Sequence, residues 1–599
     1  MAGTDCCRWD GVRCGHGSGR VTSLDLGGCG LLSSELDPSI FSLTSLRYLN
    51  LAMNDFNYSK LPSTGFERLT ELTHLNLSTS LFSGTVPASI GRLTNLVSLD
   101  LSYANEFRDH YDYGYEYSNP QYHLAVPGFK TLIANLMNLR ELRLGFVHMP
   151  SDGADWCHAV AIDGFEAFRP AYVMHFDISF NMLEGQIPLP QQSITLDYSN
   201  NMFSSIPVNI STPLQYLITF RASRNNLSGS ISESFCTPRL KILDLAYNYL
   251  SGSIPSCLME GTNALQVLNL KRNKLRGELP YNVSKNCMLE VLDFGDNSIK
   301  GQLPRSLAAC TDLEVLDIGN NQISDYFPCW MSTLARLQVF VLKSNRFFGQ
   351  IEHYSTKDMH SCEFPSLRIL DIASNNFSGS LRESWFLSLY SMVVKTANET
   401  MTMEYTDASQ VYQVATIITY KGLDVSISNI LASLVFIDIS NNAFHGSIAD
   451  AIGELVLLNV LNLSHNSFTG PIPSLLGHLT LLEVLDLSSN ELSGEIPKER
   501  ALLDFLTTLN LSYNNLVGRI PEPPHFMTFT NSSFLGNDGL CGPPLSKVCS
   551  DATTPSVVSH HSSKNSVDIV MFLFAGLGFG LGFAVAAVVT WGIPIRKRS

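Results

Sequence analysis

Four consecutive segments of similar pattern occupy residues 434–529 and constrain the fold more than any other feature. They open at Leu434, Leu458, Leu482 and Leu506, so the period is 24 residues. A typical segment, LEVLDLSSNELSGEIP, has alternating leucines followed by an asparagine, a glycine and a proline. A period of about 20 to 29 residues with this leucine spacing predicts a stack of similar coils.

The sequence of one coil explains why coils must stack. Leu485 and Leu487 alternate with polar neighbours, which predicts a short strand with inward leucines and an outward Asp486. Asn490 follows where the chain must turn, and its side-chain amide can bond backbone groups that the turn leaves unpaired. One coil cannot bury its own leucine row. We therefore predict an α/β leucine-rich-repeat solenoid, with short parallel strands on the concave face and an asparagine ladder beside them.

The same pattern extends over 21–392. Repeats open at Val21, Leu46, Leu72, Leu96, Leu139, Val173, Leu217, Leu240, Leu265, Leu289, Leu313, Leu337 and Leu367. The expected ladder asparagines are Asn225, Asn248, Asn273, Asn297, Asn321, Asn345 and Asn375. Residues 102–138 include a loop rich in tyrosine and acids, which suits a binding tip, although repeats ordinarily vary by surface insertion. Residues 145–172 hold no clear repeat, which indicates an irregular coil or a deletion of repeats.

A longer interruption, 393–433, separates these repeats from the four at 434–529. We call it the island. It exceeds an ordinary connection, and segments of this kind are usually functional or disordered. Its content of valine, isoleucine, threonine and tyrosine predicts strands rather than disorder.

Cysteine pairs mark both ends of the array. Cys7 and Cys14 lie in a partial cap at 1–20, and Cys541 and Cys549 lie in a cap at 530–550. Solenoid ends need caps, and short disulfide loops suit that role outside the cell. No signal peptide is visible, and Cys6 needs an upstream partner. We therefore expect the native protein to begin upstream, or this chain to begin inside a cap.

The cysteines between the caps do not have metal-ligand spacing. Their pattern indicates buried free thiols or occasional local bridges, and Cys236 and Cys257 are candidates to pair across adjacent coils. These cysteines are Cys236, Cys257, Cys287, Cys310, Cys329 and Cys362.

Ten Asn-x-Ser/Thr sequences predict N-glycosylation on a secreted route. They lie at Asn57, Asn76, Asn209, Asn226, Asn282, Asn376, Asn398, Asn462, Asn510 and Asn531. The repeat motif itself generates half of them. The independent ones are Asn57, Asn209, Asn282, Asn398 and Asn531.

The C-terminal region predicts a membrane anchor. A polar spacer, 551–568, precedes an apolar run at 569–593, which is long enough to cross a bilayer as a helix. The basic tail, 594–599, is then cytoplasmic, which gives a single-pass type I topology with the repeats outside. Four glycines in overlapping GxxxG patterns favour helix pairing, although glycine is also simply tolerated in such spans. They are Gly576, Gly578, Gly580 and Gly582.

Charge and motifs exclude several functional classes. A net charge of −15 argues against nucleic-acid binding, which needs a basic stripe. The sequence has no HExxH, kinase or nucleophile–base motif, and His560 and His561 lie in the spacer without other ligands. Strand acids such as Asp438 and Asp486 follow the repeat period as outward positions. We therefore predict no catalytic residues, no metal and no cofactor.

Several motifs together resemble the plant leucine-rich-repeat receptor-like proteins, which are receptors without a kinase domain. They are CCRWDGVRC, the LxxLxLxxNxLxGxIP repeat, ITYKGLDV before the last four repeats, GLCGPPL, and the span with its basic tail. The resemblance implies a plasma-membrane protein that detects an extracellular peptide, protein or glycan in defence or development. It also implies signalling through a leucine-rich-repeat receptor kinase that acts as adaptor and co-receptor.

Two alternatives remain open from the sequence. One is a binder of extracellular enzymes, similar to the polygalacturonase inhibitors. The other is a truncated copy without function. The predicted span and the island favour the receptor, because a diffusible inhibitor needs neither.

Overall fold

The structure is a computed structural model. It describes residues 5–103, 123–126, 128–149, 173–190, 192–207, 214–261, 264–351, 362–394, 404–407, 410–413, 416–420, 423–427, 434–498, 505–522 and 528–549. The chain divides into two units, Met1–Val548 and Cys549–Ser599. All described residues except Cys549 belong to the first unit.

In the described part of the chain, 19 short strands form one long sheet. Its first pair, Val12–Cys14 and Val21–Asp25, is antiparallel, and each later strand lies parallel to the previous one. The later strands are Tyr48–Asn50, His74–Asn76, Ser98–Asp100, Glu141–Arg143, His175–Asp177, Thr195–Asp197, Thr219–Arg221, Ile242–Asp244, Val267–Asn269, Val291–Asp293, Val315–Asp317, Val339–Val341, Ile369–Asp371, Phe436–Asp438, Val460–Asn462, Val484–Asp486 and Thr508–Asn510. The predicted solenoid with parallel strands is confirmed.

The inward leucines form one continuous core between neighbouring coils. Leu485 and Leu487 are fully buried, as the alternation predicts. Phenylalanines extend the stacking where coils carry them, with ring centroids 6.2 Å apart for Phe377 and Phe444. Burial of each such side chain contributes about 1.5 to 3 kcal/mol. Because each coil is covered only by its neighbours, this stabilisation is distributed along the stack.

A ladder of buried asparagine amides runs beside the sheet, as predicted. Asn248 Nδ2 donates to the carbonyls of Ala222 at 2.9 Å and Leu245 at 3.0 Å, and Asn248 Oδ1 accepts the Leu227 N–H at 3.0 Å. Each amide thus joins its own coil to the preceding one. The same arrangement occurs at Asn54, Asn201, Asn225, Asn273, Asn297, Asn321, Asn345, Asn375, Asn442, Asn466, Asn490, Asn514 and Asn537.

Shorter parallel sheets follow the ladder, which the sequence did not predict. Among the described residues, one contains Ser228–Ser230, Tyr249–Gly252, Lys274–Glu278, Ser298–Gly301 and Gln322–Ile323. Another contains Phe348–Gln350, Asn376–Gly379, Ala443–Ser447, Ser467–Pro471, Glu491–Gly494, Asn515–Arg519 and Gly539–Cys541. Two pairs are Gly84–Thr85 with Leu124–Ala125 and Glu184–Gln186 with Met202–Ser205. Repeat glycines such as Gly494 end these strands with φ of 80°.

Short helical turns carry the chain back to the next strand. The 3-10 turns are Cys6–Arg8, Pro38–Ser42, Phe66–Arg68, Ile90–Arg92, Glu233–Phe235, Arg305–Ala309, Cys329–Thr333, Tyr390–Met392, Asp450–Glu454, Ser474–His478 and Asn531–Ser533. The α-helices in the described part of the chain are Phe129–Ile133, Cys257–Glu260 and Glu383–Leu387. Their few residues reflect the 24-residue period, which leaves little chain for a longer helix.

The sheet continues in register across every interruption. Asp100 pairs with Arg143, Arg143 with Asp177, and Asp371 with Asp438 across the island. Insertions therefore leave the long sheet intact. The described island residues form two antiparallel hairpins, Glu404–Asp407 with Gln410–Gln413 and Thr416–Tyr420 with Leu423–Ile427, in agreement with the predicted strands.

One coil, with the strand Thr195–Asp197, was missed by the sequence analysis. It opens with Ser193 rather than leucine, which hides it from a leucine pattern. Ser193 is fully buried, and its hydroxyl donates to the Val173 carbonyl at 2.9 Å. A hydrogen bond therefore replaces the leucine contact of the other coils.

Candidate functional site

The outward side of the long sheet, which we call the strand face, carries two parallel rows of side chains. In-register pairing places equivalent residues of adjacent strands about 4.8 Å apart. One row is apolar and forms a buried cluster separate from the core, which includes Ile242, Val267, Val291, Val315, Val339, Ile369, Phe436, Val460 and Val484. The other, the acid row, includes Asp177, Asp197, Asp244, Asp293, Asp317, Asp371 and Asp438.

The acid row is held by backbone donors and by three cations. Asp293 Oδ1 accepts the Gly295 N–H at 3.0 Å, two residues on, and the other coils repeat this bond. Lys271 Nζ lies 3.2 Å from Asp293 Oδ2 and also contacts Asp317. Similar pairs join Arg221 to Asp197 at 3.4 Å and Lys343 to Asp371 at 3.5 Å. These ion pairs and hydrogen bonds hold the carboxylates of the acid row in fixed positions.

The burial of the strand acids was not predicted from the sequence. Asp438 points outward from its strand as predicted, but only 4% of it is exposed. Asp486 is half-buried. Adjacent strands are so close that the aspartates of the acid row cover one another. The sequence of a single coil does not show this contact.

Two carboxylates of the acid row, each beside another aspartate, have raised pKa values. Burial, and next the adjacent Asp317, raise the pKa of Asp293 to about 7, and Lys271 offsets this only in part. Burial opposes the charge on Lys271, but Asp293 and Asp317 raise the pKa of its ammonium above the ordinary value. Burial and then Asp438 likewise raise the pKa of Asp371 to about 7.

We expect the protein to lose stability as the pH rises from about 4 to 7. In the unfolded chain Asp293 and Asp371 lose their protons near their ordinary pKa of 3.8, whereas in the folded chain they keep them to about 7. The folded state therefore binds more protons in this window, and each extra proton lowers stability by about 1.4 kcal/mol per pH unit on raising the pH. Thermal melting should give a higher Tm at pH 5 than at pH 7.5. The double variant D293N/D371N should show a smaller difference, and an unchanged one would contradict the assignment.

A second column of variable residues lies at the turn after each strand, immediately before the ladder asparagine. We call it the turn column. Its members from the middle of the array onward have φ between 51° and 56°, a region that side chains other than glycine rarely adopt. Inter-coil bonds hold this conformation, such as Tyr247 N to Lys271 O at 2.8 Å. These members are Phe180, Asn200, Arg224, Tyr247, Arg272, Asp296, Asn320, Ser344, Ser374, Asn441, His465, Ser489 and Tyr513.

The structure places disulfides at the ends and along the array. Cys7 is bonded to Cys14, and Cys541 and Cys549 are also disulfide-bonded. Cys236 is bonded to Cys257, which confirms the predicted pair. Further bonds, Cys287 to Cys310 and Cys329 to Cys362, were not predicted.

Each inter-coil disulfide joins adjacent coils near their helical turns, because stacking aligns cysteines 21 to 33 residues apart. Cys6 Sγ lies within 4.8 Å of the Cys7 and Cys14 sulfurs, a geometry that could hold a metal ion. The disulfide between Cys7 and Cys14 removes the thiolates that a metal needs.

The predicted glycosylation sites differ in accessibility. Exposed ones are Asn57, Asn226, Asn282, Asn376 and Asn531. Asn76, Asn462 and Asn510 are half-buried in strands of the long sheet. Asn462 Nδ2 donates to Asp438 Oδ2 at 3.0 Å, and Asn510 Nδ2 donates to Asp486 Oδ2 at 3.2 Å. Asn209 and Asn398 lie outside the described residues.

We expect glycans on the exposed asparagines, including Asn226 and Asn282, and none on Asn462 or Asn510. The strand-face amides already donate to carboxylates, and a glycan there has no room within a sheet spaced at about 4.8 Å. Peptide mass spectrometry after enzymatic deglycosylation in heavy-oxygen water measures the occupancy of each site. High occupancy at Asn462 would contradict this expectation.

No helix in the described part of the chain is long and apolar enough to cross a membrane. The predicted span, 569–593, lies outside the described residues. The same holds for its glycines, Gly576, Gly578, Gly580 and Gly582.

Comparison with known proteins agrees with this geometry. Models described as Leucine Rich Repeat and Leucine Rich repeats (2 copies) match residues 239–260, 287–329, 457–479, 481–499 and 505–527. A TDR receptor structure covers 86% of this chain and 84% of its own, with a TM-score of 0.55 and 26% identity. Fold and repeats together define a leucine-rich-repeat solenoid protein.

The sequence relatives specify the family. Receptor-like protein 32 of Arabidopsis thaliana is 39% identical over 452 residues, which are 72% of this chain and 50% of that protein. Receptor-like protein 18 of the same plant is 33% identical over 88% of this chain and 65% of its own length. The chain spans about half the length of several relatives that it matches. It belongs to the plant leucine-rich-repeat receptor-like proteins.

One solved relative carries a ligand. The leucine-rich-repeat ectodomain of the Arabidopsis receptor kinase HAESA, in complex with an extended IDA peptide hormone, covers 91% of this chain and 94% of its own. It is 26% identical, with a TM-score of 0.52. The two sequence relatives are named as receptor-like proteins and not as enzymes.

Proposed function

We propose that this chain is the ligand-binding part of a cell-surface receptor that recognises an extracellular peptide on its strand face and turn column. The proposal depends on one observation: the residues that hold the backbone in place are different from those that form the outer surface. The inward leucines and ladder amides fix the backbone, while outward residues such as Arg224, Tyr247 and Arg272 vary between coils. A rigid surface of variable side chains can bind an extended peptide without loss of its own conformational freedom.

The peptide class is supported by the relatives. HAESA was solved with a peptide hormone, and its ectodomain has a similar fold and length of array. A peptide in extended form can contact many coils, because its rise of about 3.3 Å per residue is comparable to the strand spacing of about 4.8 Å.

We further propose that the receptor is anchored by 569–593 as a single-pass type I protein of the plasma membrane. Its signal then passes to a leucine-rich-repeat receptor kinase that acts as adaptor and co-receptor, in defence or development. The repeats 434–529, between the island and the cap at 530–550, are the last repeats in the sequence before the proposed anchor. Partner contacts are therefore assigned to this segment.

Affinity purification of the tagged full chain from plant membranes tests the proposal. We expect one receptor kinase and one peptide to be recovered together, and to be lost from a matched preparation without the chain. Recovery of a secreted cell-wall enzyme without a kinase would instead support the inhibitor alternative. Failure of the chain to reach the surface would support the non-functional copy.

Two variants separate ligand binding from kinase pairing. Deletion of 393–433 should abolish the ligand response while the protein still reaches the surface. Replacement of Gly576, Gly580 and Gly582 by leucine should weaken recovery of the kinase, because leucine prevents close helix approach. Ala586→Leu, within the same apolar run, is the matched control. Unchanged kinase recovery from the glycine variant would reject the pairing, and a retained response without 393–433 would make the island a spacer.

A further inference from the structure

Two arginines of the turn column are held on one tyrosine ring. The guanidinium carbon of Arg224 lies 4.4 Å from the centroid of the Tyr247 ring. That of Arg272 lies 5.5 Å from the same centroid. Because the residues belong to three successive coils, the ring lies between the two cations. Cation–π attraction and the fixed turns pre-position both guanidinium groups.

Neither guanidinium is neutralised by an acid in the described part of the chain. Both arginine residues are exposed, and no ion pair involves either of them there. The next acid of the column, Asp296, instead accepts Asn320 Nδ2 at 2.7 Å. Lys271, on the strand face, already neutralises two members of the acid row. These two guanidinium groups are therefore cations without a counter-charge among the described residues, in a chain with a net charge of −15.

A second cation–tyrosine pair lies beside the first. Lys274 Nζ is 4.7 Å from the centroid of the Tyr249 ring, and Tyr249 is 51% exposed. Tyr249 and Lys274 each lie two positions after a member of the turn column, and each is the first residue of a strand in one of the shorter sheets. The local surface therefore offers three cations and two aromatic rings.

We propose that Arg224, Tyr247 and Arg272 form a clamp for two carboxylates of an acidic peptide. The two arginines are two coils apart, or about 9.6 Å at a strand spacing of about 4.8 Å. A peptide in the extended polyproline II conformation covers that distance in about three residues, at about 3.1 Å per residue, and its side chains i and i+3 lie on the same face because there are about three residues per turn. The clamp therefore selects acids at positions i and i+3 of such a segment, each able to accept a bidentate bond from one guanidinium. This inference rests on the proposed function and names the chemistry of its ligand.

The surroundings favour a peptide over an acidic polysaccharide. A uniformly charged polymer that continued along the column would meet Asp296 on the next coil. It would also run beside the acid row, including Asp244 and Asp293. A peptide with two acids and neutral neighbours avoids this repulsion.

Binding of labelled synthetic decapeptides to the full chain, measured by fluorescence anisotropy in mild detergent, tests the clamp. The first peptide carries glutamate at i and i+3 in a glycine–serine background. The second carries glutamate at i and i+1, and the third carries glutamine in place of both glutamates of the first. We expect the i, i+3 peptide to bind at least about tenfold more tightly than the glutamine peptide, a difference of about 1.4 kcal/mol. The preference should weaken in high salt.

The variant R224Q/R272Q should lose this preference, and R224K/R272K should keep only part of it because lysine cannot form the bidentate fork. The exposed pair K241Q/K285Q is the matched control for net charge and should bind like the unchanged protein. Equal Tm values for all variants exclude unfolding as the cause. Equal binding of all three peptides, or an R224Q/R272Q variant that retains the preference, would overturn the clamp.

A parallel titration with polygalacturonate decides the ligand class. Tighter binding of this polymer, lost in R224Q/R272Q, would overturn the peptide assignment. The native ligand separates the clamp from the proposed function. If membranes yield the same peptide and kinase with unchanged chain and with R224Q/R272Q, the clamp fails and the receptor function stands. If no peptide is recovered from membranes, but the preference for the synthetic i, i+3 glutamate peptide depends on the arginines, the receptor function fails and the clamp stands.

Discussion

Replacing Asn321 by alanine should lower the local free energy of unfolding by about 3 to 5 kcal/mol, a larger effect than an ordinary point substitution. Asn321 Nδ2 donates to the carbonyls of Phe294 at 3.0 Å and Ile318 at 3.1 Å, and its Oδ1 accepts the Ile299 N–H at 2.9 Å. Alanine leaves these buried groups without partners, at about 1 to 3 kcal/mol each.

The adjacent Asn320 is the matched control. It is exposed and makes one side-chain bond, to Asp296, and its φ is 53°, which alanine adopts less readily than asparagine, so Asn320→Ala should cost only about 1 kcal/mol. Hydrogen exchange with mass spectrometry suits a repeat array, because coils can open locally without global unfolding. Peptides from 291–345 should exchange faster in N321A only. Equal exchange in both variants would show that the ladder does not stabilise the stack.

Replacing Lys271 by methionine should destabilise the protein by about 3 to 5 kcal/mol at pH 7.5. Lys271 is 5% exposed and pairs with Asp293 and Asp317 on two successive strands. Without it, two buried carboxylates face each other with no counter-charge. Burial and Asp317 raise the pKa of Asp293 to about 7 even with Lys271 in place, and loss of Lys271 raises it further, so protonation should make the loss of stability smaller at pH 5.

The triple variant K271M/D293N/D317N separates charge from packing. Removal of all three charges should restore most of the stability, because it is the unpaired buried charge that destabilises the fold. Lys241→Met, at an exposed position nearby, should have little effect. Urea unfolding at both pH values measures all three. If K271M is as stable as K241M at pH 7.5, the carboxylates do not depend on Lys271.

Much of the fold could be predicted because the repeat is local. The alternation around Leu485 and the asparagine at 490 specify a strand and a turn within about 24 residues, and stacking follows from the leucines that one coil leaves uncovered. The coil at Thr195–Asp197 escaped prediction because Ser193 replaces its leading leucine. The shorter sheets escaped because polar residues such as those of Ser228–Ser230 show no strand alternation.

The candidate site was less predictable. The sequence placed acids such as Asp438 at outward positions of the strands, but it did not show that these acids are buried in a row. Only Cys236 and Cys257 were considered as a pair among the inner cysteines, although Cys287 and Cys310 are also bonded. Each omission concerns contacts between coils.

The sequence by itself determined the coil: its inward leucines, its ladder asparagine, its period and its family. Only the tertiary structure decided which outward side chains meet. Lys271 reaches Asp317 across 46 residues of sequence, and Arg224 and Arg272 meet on Tyr247. The physical reason is that stacking energy depends on the repeated inward residues, which set the register. The outward residues do not specify the register and become neighbours only after the coils have aligned.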